Sequence, residues 1–172
     1  MKKIHRLLPV LIFISSFIIL FMMFLPALKN ESENIMNGTK AVFGGKITQV
    51  GEFLSADVKF SFINLLAYTL PAILSILFTF TALRYLRTTN KKLFLNILLF
   101  FSFVLSIFLF NNLNRNTVGV TTILGVYKDF NYESSYLGAG AMIAMITSII
   151  GAILTALYFI IDIGLPRKIK RR

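Results

Sequence analysis

Four long apolar runs, none carrying a charged side chain, set the limits on what this chain can become: residues 7–28, 61–83, 93–110 and 137–161. At about 1.5 Å of rise per residue, the first spans roughly 33 Å as a helix, enough for a hydrocarbon core of ~30 Å. None of the runs alternates with the period of two that a strand wall requires, and each is too long for a membrane strand. The expected fold class is therefore an all-α membrane protein: one four-transmembrane-helix bundle over residues 1–172, with outer loops at 29–60 and 111–136. At 56% hydrophobic and 15% charged residues, the chain is too apolar for an ordinary soluble domain.

The basic residues give the orientation. Lys2, Lys3 and Arg6 precede the first run, while Arg84, Arg87, Lys91 and Lys92 separate the second from the third. Arg167, Lys168, Lys170, Arg171 and Arg172 follow the fourth. If four helices alternate, these all fall on one side, together with a single acid, Asp162. The two loops on the other side balance six basic against six acidic residues. Short loops rich in Lys and Arg stay inside, so both termini are expected in the cytoplasm of a multi-pass cell-membrane protein. The net charge of +11 thus reads as positive-inside topology and not as a nucleic-acid footprint. The tail residues Arg167, Lys168, Lys170, Arg171 and Arg172 also suit anionic lipid head groups, at about 1 kcal/mol per basic residue near such a surface. The first run is expected to be an uncleaved anchor, because its apolar stretch exceeds that of a signal peptide and Leu25-Pro26-Ala27 is no cleavage site. The abundance of Phe, Ile, Asn and Lys points to a bacterial source.

Hydrocarbon gives helices no hydrophobic drive to associate, so small residues at the contacts matter. On the fourth run Gly140, Ala144, Ser148, Ala152 and Ala156 recur every four residues and predict a packing ridge, for another helix of this chain or for a second subunit. The second run carries a polar stripe, Asn64, Tyr68, Ser75 and Thr79, expected in the bundle interior with Asn96, Ser102 and Ser106 of the third. Pro71 predicts a kink near Ala67.

A β cap is expected outside. After a loose polar stretch at 29–38, residues 40–43 and 46–50 around Gly44-Gly45 read as a hairpin. The β-branched segment 117–124 reads as a strand that joins it; a re-entrant or interfacial segment over 118–126 is the rival reading. Residues 127–133, polar and aromatic, suit a head-group anchor or a contact patch.

Candidate chemistry is scarce. With no cysteine, neither a disulfide framework nor a thiolate metal site can form. Gly44-Gly45-Lys46 lacks the Gly and Ser/Thr of a phosphate loop. Asn37-Gly38-Thr39 is a sequon that matters only in a eukaryotic secretory pathway. His5 stands alone in a basic segment. None of the four runs contains an ionisable group of the kind that ion-coupled transporters use. Asp162, just past the fourth run, is expected to pair with Arg84, Arg87 or Arg167. The layout resembles that of claudin-like tetraspan proteins, but the first outer loop lacks their Trp and paired Cys, and no functional residue carries over. Small multidrug transporters share the helix count, yet their first helix bears a carboxylate absent here.

No catalytic, cofactor or metal site is expected. The leading expectation is a non-enzymatic membrane protein acting through protein–protein contacts, as an accessory, scaffold or assembly subunit. Its partners would be the lipid bilayer and another membrane protein or a second copy of itself. The alternative is the membrane subunit of a transporter or channel, motivated by Pro71 and the polar stripe. A lipid-modifying enzyme, built on Asp129, Glu133, Tyr132 and Arg115, is the weakest reading.

Overall fold

The computed structural model describes residues 2–31, 33–50, 54–84, 90–123 and 125–164. Four helices long and apolar enough to cross a membrane run through it: α1 (Lys2–Phe21), α3 (Phe62–Arg84), α4 (Asn90–Asn111) and α6 (Ala139–Gly164). Two short helices, α2 (Gly38–Phe43) and α5 (Leu113–Asn116), lie at one end with seven strands: β1 (Pro26–Lys29), β2 (Asn34–Asn37), β3 (Gly45–Val50), β4 (Leu54–Val58), β5 (Val118–Ile123), β6 (Val126–Asn131) and β7 (Tyr136–Leu137). This is the cap end. The opposite end, where α3 finishes and α4 begins, is the basic end.

The long helices form a square in which α1 and α4 each pack against both α3 and α6. The core between them includes Ile12, Ile19, Phe78, Leu99, Phe103, Phe110 and Tyr158. Large apolar side chains also cover the outside: Phe80 is 76% exposed and Phe94 65%. A soluble monomer rarely leaves a surface of that kind open to water.

The first helix is shorter than its apolar run. α1 ends at Phe21, a 3-10 turn covers Met22–Phe24, and Leu25 is extended at φ −93°, ψ 166°. Pro26 explains the break, since it cannot donate into a helix and forces the residue before it away from helical geometry. Residues 26–28, expected at the end of the helix, instead join Lys29 in β1, the centre of a small antiparallel sheet ordered β2-β1-β7.

The outer hairpin is displaced by one element from the expected position. Residues 40–43 belong to α2 and not to a strand, and Ala41 and Val42 are fully buried against the bundle. Gly44 stops α2 with φ +77°, its N–H bonded to the Lys40 carbonyl. The glycine pair is thus a helix stop, a role that positive φ suits as well as a hairpin turn. The hairpin that does form joins β3 to β4. The expected strand over 117–124 is present as β5, and β6 follows after two residues, with Gly125 at φ +82°. All four make an antiparallel sheet in the order β3-β4-β5-β6. The re-entrant reading of 118–126 is therefore wrong, and most of the 127–133 segment is strand β6.

Pro71 leaves the carbonyl of Ala67 without its usual helix donor. The Ser106 hydroxyl on α4 donates to it at 2.9 Å, with both residues buried. A neighbouring hydroxyl that replaces the missing N–H is how helices tolerate proline where water is absent. Ser102, by contrast, bonds within its own helix, to Leu99. Ser106→Ala is expected to cost roughly 1 kcal/mol of stability in detergent, measured by thermal unfolding, and Ser102→Ala less. In a Pro71→Ala background, where residue 71 regains an N–H, the cost of Ser106→Ala should largely vanish. Equal costs in both backgrounds would contradict the bond's assigned role.

Candidate functional site

Near the basic end the interior of the bundle holds charge. Lys92, on the first turn of α4, meets Asp162, near the end of α6, at 2.5 Å between Nζ and Oδ1. Their side chains are 0% and 1% exposed. Lys92 Nζ also stands 5.6 Å from the ring centre of Tyr158, one turn before Asp162 on the same face of α6. Tyr158 in turn meets Phe78 of α3 edge-on, with ring centres 5.1 Å apart.

One turn deeper, Asn96 donates from Nδ2 to the Thr155 carbonyl at 3.3 Å, and the Thr155 hydroxyl donates back along α6 to Gly151. Asn96 Oδ1 is buried and accepts no hydrogen bond among the described residues. Beside these residues a groove of about 390 Å³ opens between α4 and α6, walled by Phe100, Phe101, Phe159 and Ile160.

The sequence reading passed over Lys92 as one charge among many that set topology. The available signal was Asp162, the only acid on the basic side. Asp162 pairs with Lys92, a partner outside the expected set of Arg84, Arg87 and Arg167; Arg87 and Arg167 lie outside the described residues. An ion pair sealed among four helices clamps α4 to α6, and removing one partner leaves the other charge stranded.

The polar stripe of α3 faces inward, and its members meet α1, α2, α4 and Thr117 just before β5. Ser75 and Ser16 of α1 share a hydroxyl bond at 2.5 Å, and Thr79 donates to the carbonyl of Pro9 on α1. Asn64 donates to the Ala41 carbonyl of α2 at 2.9 Å and to Thr117 Oγ1 at 3.0 Å, while Thr117 donates to Leu113 of α5. Tyr68 packs edge-on against Phe110, and its hydroxyl has no partner among the described residues. Ser75 and Thr79 thus hold α3 to α1, and Asn64 ties the bundle to its cap.

The small-residue row of α6 also turns inward. Ala144 and Ser148 are fully buried and Ala152 is 8% exposed, while Ala156 is half-buried. At Gly140 a Cβ would come within 2.8 Å of the Met22 carbonyl and of Leu25, and at Gly151 it would strike the ring of Phe103. Gly140 thus sits against the 3-10 turn and the start of β1, and Gly151, beside the row, against α4. The basic residues Arg167, Lys168, Lys170, Arg171 and Arg172 lie outside the described residues.

The cap has its own core, which includes Ala27, Leu28, Met36, Val58, Leu113 and Tyr132. Burial pushes the Tyr132 phenol above its ordinary pKa and keeps it neutral. On the exposed face of the larger sheet Lys59 and Asp129 pair at 2.8 Å, half in solvent. Such a pair adds little to stability. At the tip of the β5–β6 hairpin, away from the helices, Ile123, Val126 and Tyr127 are 51%, 69% and 76% exposed. Of Arg115, Asp129, Tyr132 and Glu133, the residues of the enzyme reading, Asp129 is engaged with Lys59 and Tyr132 is buried in the cap core.

No protein-family model matches the chain, and no curated protein or solved structure is detectably similar to it.

If the Lys92–Asp162 clamp operates as described, Lys92→Met and Asp162→Asn each destabilise the detergent-solubilised protein by about 3 kcal/mol or more. The double variant Lys92→Met/Asp162→Leu should recover most of that loss. Additive losses in thermal unfolding would contradict the coupling.

Proposed function

We propose that this chain is a multi-pass protein of a bacterial cell membrane, with both termini in the cytoplasm and the cap outside, that acts through protein–protein contacts and not by catalysis. Its four apolar helices and the concentration of Lys and Arg at the basic end support the orientation. The observation that carries the functional reading is the hairpin tip. Ile123, Val126 and Tyr127 are open to solvent at the far end of the larger sheet. Apolar side chains gathered at such a point fit a contact with another protein. The small-residue ridge, turned inward, leaves the cap as the better candidate surface for assembly.

A second reading, the membrane subunit of a transporter, is favoured by one observation, the sealed Lys92–Asp162 pair. Ionisable groups within a bundle often belong to transport pathways. Against it, the interior between that pair and the cap is filled by Tyr158, Phe78, Phe103, Tyr68 and Phe110.

A photocrosslinking amino acid in place of Tyr127 distinguishes these readings. Irradiation of cells should convert a large share of the chain into one discrete heavier protein adduct. The same probe in place of Phe94, on the apolar flank of α4, should not. Monomer alone from the Tyr127 position, with purified protein that supports solute flux into liposomes, would overturn the contact reading in favour of transport.

A further inference from the structure

A groove of about 570 Å³ lies where α6 meets the small β2-β1-β7 sheet, and it changes character along its length. Lys29, Asn30 and Glu31, at the turn between β1 and β2, form its outer part with Tyr136. Leu137, Met142 and Met145 form its inner part. A second hollow, lined by Asn30, Glu31, Ser134 and Tyr136, continues it away from the helices.

Three observations point to what fits. First, Lys29 and Tyr136 are directly opposed across β1 and β7, so their side chains stand on one face about 5 Å apart at Cβ. Second, Met142 and Met145 are neighbours at i, i+3 on the first turns of α6, within its apolar span Ala139–Ile163. The groove therefore straddles the boundary between polar cap and apolar span. Third, the side chains of Lys29 and Glu31 have no ionic or hydrogen-bond partner among the described residues, whereas Lys59 and Asp129 on the neighbouring sheet find each other. A cation and an anion, unpaired and two residues apart, sit above an apolar channel.

We propose that this groove binds one phospholipid whose head group carries both a phosphate and an ammonium, as in phosphatidylethanolamine. The phosphate lies against the Lys29 ammonium, and the lipid ammonium against the Glu31 carboxylate and the exposed ring of Tyr136. An acyl chain runs along Leu137, Met142 and Met145, whose unbranched thioethers adapt to a mobile chain. A purely anionic head group would satisfy Lys29 and repel Glu31. A neutral diacylglycerol would leave both charges unanswered. The proposal rests on the membrane orientation given above and adds a lipid site at the outer leaflet.

Native mass spectrometry of the full chain, purified in detergent and incubated with equal amounts of phosphatidylethanolamine and phosphatidylglycerol, tests it. The expected result is one retained lipid per chain, with phosphatidylethanolamine favoured about tenfold. Lys29→Ala should weaken retention of both lipids by about tenfold. Glu31→Gln should abolish the preference while phosphatidylglycerol binding holds or rises. Both side chains are exposed and unpaired, and unchanged thermal unfolding of the variants would show that the fold survives. No retained lipid, no preference in the native sequence, or variants that behave like it would overturn the site while the membrane reading stands. A chain that stays monodisperse without detergent would overturn both.

Discussion

In the membrane setting proposed above, hydrocarbon offers no hydrogen bonds, and much of this structure fits that one constraint. Each long helix must satisfy its own backbone, and where proline prevents this another element must help. Pro71 opens a gap at Ala67 that Ser106 closes from α4. Pro9 sits near the start of α1, and Thr79 of α3 reaches its carbonyl. The repair at Ala67 and the Thr79–Pro9 bond both cross between helices, so they also fix how the helices sit against one another. The same constraint explains why Phe80, Phe94 and Phe108 stand outward while Ser16, Ser75 and Asn64 stand inward. In lipid, burying apolar surface between helices gains little, and polar contacts with close backbone approach decide the packing.

Polar groups then sort by depth. At mid-bundle they are single hydroxyl bonds, such as Ser16 to Ser75. Toward the basic end they become a full charge pair, Lys92 with Asp162, bordered by the face of Tyr158. Toward the cap end they become a junction in which Asn64 reaches α2 and β5's first neighbour Thr117 at once. Through that junction the placement of α3 governs the placement of the cap, because β4 enters α3 directly and α5 delivers β5. A cap held this way carries at its far edge the paired strands β5 and β6.

Much of the helical part was legible in the sequence, because length without charge is a strong signal, and the inward polar stripe follows from spacing alone. The strand at 118–123 was legible from its run of β-branched residues. Other features were hidden for identifiable reasons. The end of α1 was masked because residues 22–28 stay apolar after the helix stops, and only Pro26 marked the change. Gly44-Gly45 was misread because one residue type serves both hairpin turns and helix stops, and the deciding fact, burial of Ala41 and Val42, is tertiary. Strands β1, β2 and β7 are short, and β7 finds β1 across more than a hundred residues of sequence, which local patterns do not encode. Lys92 was counted as a topological charge because a sequence does not say which member of a basic cluster turns inward.

Everything in the proposed arrangement depends on the cap and the basic end lying on opposite sides of a bilayer. The chain has no cysteine, so a single one placed at will reports on one site alone. Asn131→Cys on the exposed cap and Lys91→Cys at the start of α4 should each be labelled in intact cells by a membrane-impermeant maleimide only if they face outward. The expected result is labelling at 131 in intact cells, and at 91 only after the membrane is opened. Equal labelling of both positions in intact cells, or the reverse pattern, would contradict the arrangement.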